Sequence, residues 1–156
     1  TTGLDAAKDE IIEIAAIRPS VGGGVEHMQT FVRPERGVPD TITELTGITQ
    51  EDAGGGLELG DAIDALLAFV GTRPLVMHNC SFDLGFIDAA MESMGLDELD
   101  NQCFDTLELA RKKMPGMTGY RLEDLAQALE IDYEVKHRAL SDCKTTMDIF
   151  LELMAM

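Results

Sequence analysis

Apolar positions along the chain fall into short periodic runs, and the period changes from one run to the next. Residues 10–18 and 25–33 are rich in Ile, Ala, Val and Phe and are separated by Pro19-Ser20-Val21-Gly22-Gly23-Gly24, which predicts a β-hairpin with a long flexible turn. From Pro39 the pattern shortens to two helical pieces, residues 40–45 and 49–53, before a second glycine run at Gly54-Gly55-Gly56. Ala62, Ile63, Leu66, Leu67 and Val70 recur at helical spacing and predict a helix over residues 59–70. The apolar run Pro74-Leu75-Val76-Met77 suits a buried parallel strand, and a helix over residues 82–94 follows it, with Ser81 as its expected N-cap. A short strand at residues 102–104 leads into a helix over residues 106–113 that stops ahead of Pro115-Gly116. Two further helices, residues 122–129 and 139–154, end the chain, and the last presents Leu140, Met147, Phe150, Leu151 and Met154 as its apolar face. A hairpin followed by strands alternating with helices predicts an α/β fold in which helices pack on a mixed sheet.

Composition narrows the class. A chain of 156 residues with 45% hydrophobic content suits one compact domain, and no repeat or interdomain linker interrupts it. Nowhere do about 18 apolar residues run together, so no membrane span is expected. Cys80, Cys103 and Cys143 lie far apart, lack a CxxC spacing and sit in apolar or helical stretches. They read as reduced, small core residues of a cytoplasmic protein. The formal net charge of −17 is the wrong sign for gripping long duplex DNA through many phosphate contacts, which argues against a repressor-like or histone-like binder. It argues less against a nuclease, because carboxylates that hold divalent cations place positive charge where the phosphate sits. Arg111, Lys112, Lys113, Arg121, Lys136, Arg138 and Lys144 fall late in the chain, as a local basic rim or as ordinary solvated helix faces.

Three stretches place polar chemistry where an element begins. Met77-His78-Asn79-Cys80-Ser81-Phe82-Asp83 runs from an apolar strand through a polar turn into a helix, so Asp83 sits in the first helical turn beside the carboxyl end of the strand. The helix dipole alone also favours an Asp there. His137-Arg138-Ala139-Leu140-Ser141-Asp142 places an imidazole ahead of a helix and a carboxylate about one turn inside it, a spacing that lets both reach one site. The third stretch is the opening Thr1-Thr2-Gly3-Leu4-Asp5, a polar turn ahead of the hairpin.

Together these resemble the DnaQ-like exonucleases of the DEDDh type, a family that includes the proofreading epsilon subunit of bacterial DNA polymerase III. Members carry D-x-E-T-T-G-[LM], H-N-x-x-F-D and H-x-A-x-x-D; this sequence has TTGL from Thr1, HNCSFD from His78 and HRALSD from His137. Ile42-Thr43-Glu44-Leu45-Thr46-Gly47-Ile48-Thr49 and Phe104-Asp105-Thr106-Leu107-Glu108-Leu109-Ala110-Arg111 resemble two further family segments, in the family's order along the chain.

The resemblance implies a ribonuclease H-like mixed five-stranded sheet flanked by helices. It implies a 3′–5′ exonuclease that hydrolyses phosphodiester bonds at a single-stranded 3′ end of DNA or RNA, with DNA favoured, using two Mg²⁺ or Mn²⁺ ions and partnered by a DNA polymerase or another replication or repair protein. Position by position, Asp83 and Asp142 match metal-binding carboxylates and His137 matches the general base. Thr2, Gly3 and Leu4 match the turn against the 3′-terminal nucleotide, while His78, Asn79 and Phe82 line or support the same cleft. The family's first Asp-x-Glu has no counterpart in these residues. Its absence points to a domain that is incomplete at its N-terminus, with the first, central strand outside the sequence. The alternative expectation is an exonuclease-like scaffold without activity that serves structure or partner binding.

Overall fold

The computed structural model describes residues 1–133 and 137–156. Strand β1 (Glu13–Pro19) pairs antiparallel with β2 (Val25–Phe31), in a register that sets Glu13 opposite Phe31 and Pro19 opposite Val25. Gly23 and Gly24 turn the hairpin with φ of 87° and 83°, a region costly to residues with a β-carbon. Residues 10–12, expected to extend the first strand, divide their backbone bonds instead. Ile12 still accepts from the Val32 amide, but Glu10 exchanges bonds with Thr2: its carbonyl accepts the Thr2 amide and its amide donates to Thr2 Oγ1, both at 2.8 Å. The opening Thr-Thr-Gly turn is thereby fastened to the base of the hairpin.

Helices α1 (Asp40–Thr46) and α2 (Gln50–Gly54) follow, and Thr49 caps α2 in a reciprocal capping box with Asp52. The glycine run after α2 lies against β2, where Leu57 donates to the Phe31 carbonyl at 2.9 Å. A β-carbon on Gly56 would stand 2.5 Å from that same carbonyl, so the close approach requires glycine. Helix α3 (Leu59–Val70) spans the residues the sequence pattern predicts and buries Ala62, Ile63, Leu66 and Val70.

Strand β3 (Leu75–Met77) runs parallel to β4 (Cys103–Asp105), with α4 (Cys80–Ser93) between them in sequence. The N-cap of α4 is Asn79, not Ser81: Asn79 takes a left-handed conformation at φ 66°, so the helix starts two residues earlier than the pattern suggests. Helices α5 (Thr106–Lys113), α6 (Leu122–Ala128) and α7 (Ala139–Ala155) complete the chain.

A single five-stranded sheet is not what the described residues form. They hold four strands in two separate pairs, β1–β2 and β3–β4. Helix α7 spans both pairs, packing on β1, β3, α5 and α6. One core joins β1 to α3 and α4 through Ile14, Ile63, Leu66, Phe86 and Met91; a second joins α5, α6 and α7 through Ala110, Leu125, Ile149 and Leu153.

The buried face of α7 differs from the expected one: Thr145, Thr146, Ile149 and Leu153 are buried, while Leu151 and Met154 are each 59% exposed. Threonines hold that face because their hydroxyls can be satisfied within the helix, as Thr145 Oγ1 does by donating to the Ser141 carbonyl at 3.2 Å. All three cysteines are free; Cys80 is buried as expected, while Cys103 and Cys143 are only partly buried. Among the described residues no helix is long and apolar enough to cross a membrane.

Candidate active site

Helical periodicity sets which face of its helix each of two aspartates shares. Counting from Asp83, the buried residues Phe86, Ala90 and Met91 follow at steps of three, seven and eight. Counting from Asp142, the buried Thr145, Thr146 and Ile149 follow at three, four and seven. Each aspartate therefore heads the inward face of its own helix, one turn from the N-terminus, where the dipole favours an anion.

The two carboxylates lie within electrostatic reach of each other, and Cys143 feels the charge of both. Asp83 is open to water at one side but enclosed by protein on the others. Desolvation is the largest influence on its carboxyl and, with the charges of Asp105 and Asp142, pushes it up to about 6. Asp142 is half-buried and also titrates above its ordinary range: desolvation leads, opposed by the charge of His137 and by the Tyr133 hydroxyl, which donates to Asp142 Oδ1 at 3.4 Å. Tyr133 is in turn pushed up to about 12 by burial and by Asp142, so it stays a phenol.

The other expected site residues fall as follows. His137 is exposed on the loop ahead of α7 and sits at φ 45°. Thr2 is held by Glu10, as described above. A β-carbon on Gly3 would lie 2.3 Å from Asp9 Oδ2, so any side chain there requires Asp9 to move. Leu4 is 85% exposed, an apolar side chain projecting beside the turn. Phe82 stacks on Phe86 with ring centroids 5.2 Å apart, Asn79 is exposed at the head of α4, and His78 is half-buried with Nδ1 2.9 Å from Thr106 Oγ1. Burial lowers the His78 pKa, opposed by Asp105 and the Tyr120 backbone.

Two acidic residues that the sequence reading passed over hold the site in place. Asp105 Oδ1 accepts from the amides of Asn79 and Leu107, and Oδ2 from that of Cys80, so one carboxylate caps both α4 and α5. An Asp directly before a helix is a visible capping signal in sequence; its reach back to α4 is not. Glu13 accepts from Arg138 and from the Ala139 amide at the head of α7. The signal for it was a lone carboxylate inside the apolar run Ile11-Ile12-Glu13-Ile14, which needs a partner if buried. Replacing Asp105 with Ala strands three amides and is expected to destabilise the fold by about 2 kcal/mol. Urea denaturation reads this directly, and an unchanged midpoint would remove Asp105 from the scaffold of the site.

The exonuclease family RNase_T matches residues 1–150. The chain belongs to this exonuclease family. Among curated relatives, the PolC-type DNA polymerase III of Halalkalibacterium halodurans is 38% identical over 146 residues, covering 94% of this chain and 10% of that protein. The exonuclease chain thus spans about a tenth of the length of the relatives it matches. Among solved structures, exonuclease X in complex with 5′ overhanging duplex DNA superposes with a TM-score of 0.78 at 27% identity, covering 99% of this chain and 87% of that one. The nuclease domain of 3′hExo, a DEDDh family member bound to rAMP, shares the fold at TM-score 0.73 and 17% identity, covering 93% and 92%. The resemblance read from the three motifs is therefore a family relationship.

Among the described residues no three His, Cys, Asp or Glu side chains form a complete metal-binding cluster. What the exonuclease chain does present is a pair of carboxylates with raised proton affinity, and among the described residues no lysine or arginine is bonded to either. Oxygen donors in mutual repulsion fit a hard divalent cation better than a soft one.

Proposed function

We propose that this chain is the catalytic unit of a 3′–5′ exonuclease that releases nucleotides from the 3′ end of single-stranded DNA with two Mg²⁺ or Mn²⁺ ions. The proposal is supported by Asp83 and Asp142 heading two different helices within reach of each other's charge, with the charge of His137 acting on Asp142. Asp83 and Asp142 would hold the cations, which supply activation of water and stabilisation of the leaving oxygen when bound. His137 accepts the proton of the attacking water at its imidazole nitrogen, a role suited to a side chain exposed to solvent and next to an acidic group. The Thr2-Gly3-Leu4 turn packs against the terminal nucleotide, with Leu4 offering apolar surface to the base. Stacking worth about 1–3 kcal/mol per base lets a few terminal nucleotides bind without an extensive basic surface, which accommodates the net charge of −17. DNA is favoured over RNA, and replication in the cytoplasm as the setting, because the curated relatives are DNA polymerases III.

A single-stranded oligonucleotide labelled at its 5′ end, and a ribose counterpart, test this in the natural full-length protein. The expected result is a ladder shortening one nucleotide at a time from the 3′ end with Mg²⁺ or Mn²⁺, abolished by chelator and faster on deoxyribose. Release of the labelled 5′ nucleotide as the first product, or undiminished cleavage in excess chelator, would overturn the proposal.

A further inference from the structure

The side chain of Glu13 is 4% exposed, lies 125 positions from Arg138 in sequence, and yet has every lone pair engaged. Arg138 Nη2 donates to Oε1 at 2.8 Å and Arg138 Nε approaches Oε2 at 3.2 Å, a two-pronged guanidinium clamp. The Ala139 amide, first in α7, donates to Oε2 at 2.9 Å, and Gln29 Nε2 from β2 donates to Oε1 at 2.8 Å. Burial alone would raise the pKa of Glu13, but these bonds outweigh it and hold the carboxylate ionised below its ordinary value. On the other side, the Arg138 guanidinium lies over the Phe31 ring at 5.4 Å, which fixes its plane.

The residues so gripped are the two that directly follow His137. His137 adopts φ 45°, a conformation that persists in residues with a β-carbon only where the surroundings over-determine it. Five residues after His137 is Asp142, whose helix makes a second attachment to β1 where Cys143 Sγ donates to the Ala15 carbonyl at 3.4 Å.

We propose that Glu13 is a positioning residue: through Arg138 and the Ala139 amide it fixes the head of α7 on the β1–β2 hairpin and so sets where His137 and Asp142 stand relative to Asp83. It touches neither substrate nor reacting atoms. The proposal rests on the exonuclease reading of the same site, and the test separates the two. Wild-type protein is assayed first; absence of metal-dependent hydrolysis there removes the functional reading before Glu13 is reached.

With wild type active, Glu13→Gln, Arg138→Gln and the double variant are assayed on the oligonucleotide at a temperature well below each variant's melting point. Each single change is expected to lower kcat about tenfold with KM for the 3′ end within about twofold, since the nucleotide turn is untouched. The double variant is expected to match the worse single one, because both cut the same linkage. Losses that multiply to about a hundredfold, or that appear in KM with kcat preserved, would overturn the proposal. Glu13→Asp, which keeps the charge but withdraws it by one methylene, provides a milder arm where Glu13→Gln fails to fold: an intermediate fall in kcat supports the linkage, and wild-type kcat with lowered melting temperature refutes it.

Discussion

Asp83→Asn is expected to stop hydrolysis and at the same time to make the metal-free protein more stable at neutral pH. The loss of activity should be on the order of 10²–10³-fold or more, because an amide neither carries the charge nor holds a cation as a carboxylate does. The gain in stability follows from the sign of the pKa change. Asp83 titrates near 6 in the folded protein against an ordinary 3.8, so the folded state binds its proton more tightly than the unfolded state. The contribution of this group is complete below about pH 4 and is lost as pH rises through 6; at pH 7.5 the ionised carboxylate burdens the fold. The full difference between 3.8 and about 6 corresponds to roughly 3 kcal/mol, but the carboxylate is open to water on one side and solvent screening reduces this to about 1 kcal/mol. Asparagine carries no such burden. Thermal melts in chelator at pH 7.5 should therefore place Asp83→Asn about 2–4 °C above wild type, with the gap closing towards pH 4. A variant that melts lower than wild type at pH 7.5 would show that the carboxylate is at ease in the apoprotein and that no cation is needed to offset it.

His137→Ala is expected to cost on the order of 10²-fold in turnover while leaving the affinity for Mg²⁺ or Mn²⁺ unchanged, as a proton acceptor that is not a ligand should. The position sits at φ 45°, a left-handed conformation that alanine tolerates less well than histidine or asparagine, so truncation also disturbs the loop. His137→Asn controls for this, since asparagine tolerates the left-handed region but cannot accept the proton. Both variants should lose turnover equally in pre-steady-state measurements, with calorimetric metal titrations matching wild type. Turnover near wild type in either one would strike His137 from the base role.

Much of the local structure was legible in the letters. Helix α3 follows from Ala62, Ile63, Leu66 and Val70 because a helix against a flat apolar surface must repeat at that spacing. The start of α4 was misplaced because Asn79 turns the chain through a left-handed residue, a backbone feature that Ser81 conceals by being the better-known cap. The inward face of α7 was misread because size was taken as the sign of burial; Thr145 and Thr146 lie inside while the larger Leu151 and Met154 lie outside. The division into two strand pairs was not legible at all, since pairing is settled by what α7 packs against. At the proposed site, Asp83, His137 and Asp142 stand out by motif alone. Glu13 and Asp105 leave only a local trace in the sequence, a lone carboxylate in an apolar run and a helix cap, while the partners that give them weight lie far along the chain: Glu13 to Ala139, Asp105 to Asn79.

Helix α7 carries one aspartate of the site at its head and much of the second core along its length, and it bridges strand pairs that do not bond to each other. Reactivity and foldedness are thus vested in a single rod. Heat that loosens it is therefore expected to remove both together, so that the proposed activity of a partly heated preparation should track the fraction of molecules still folded.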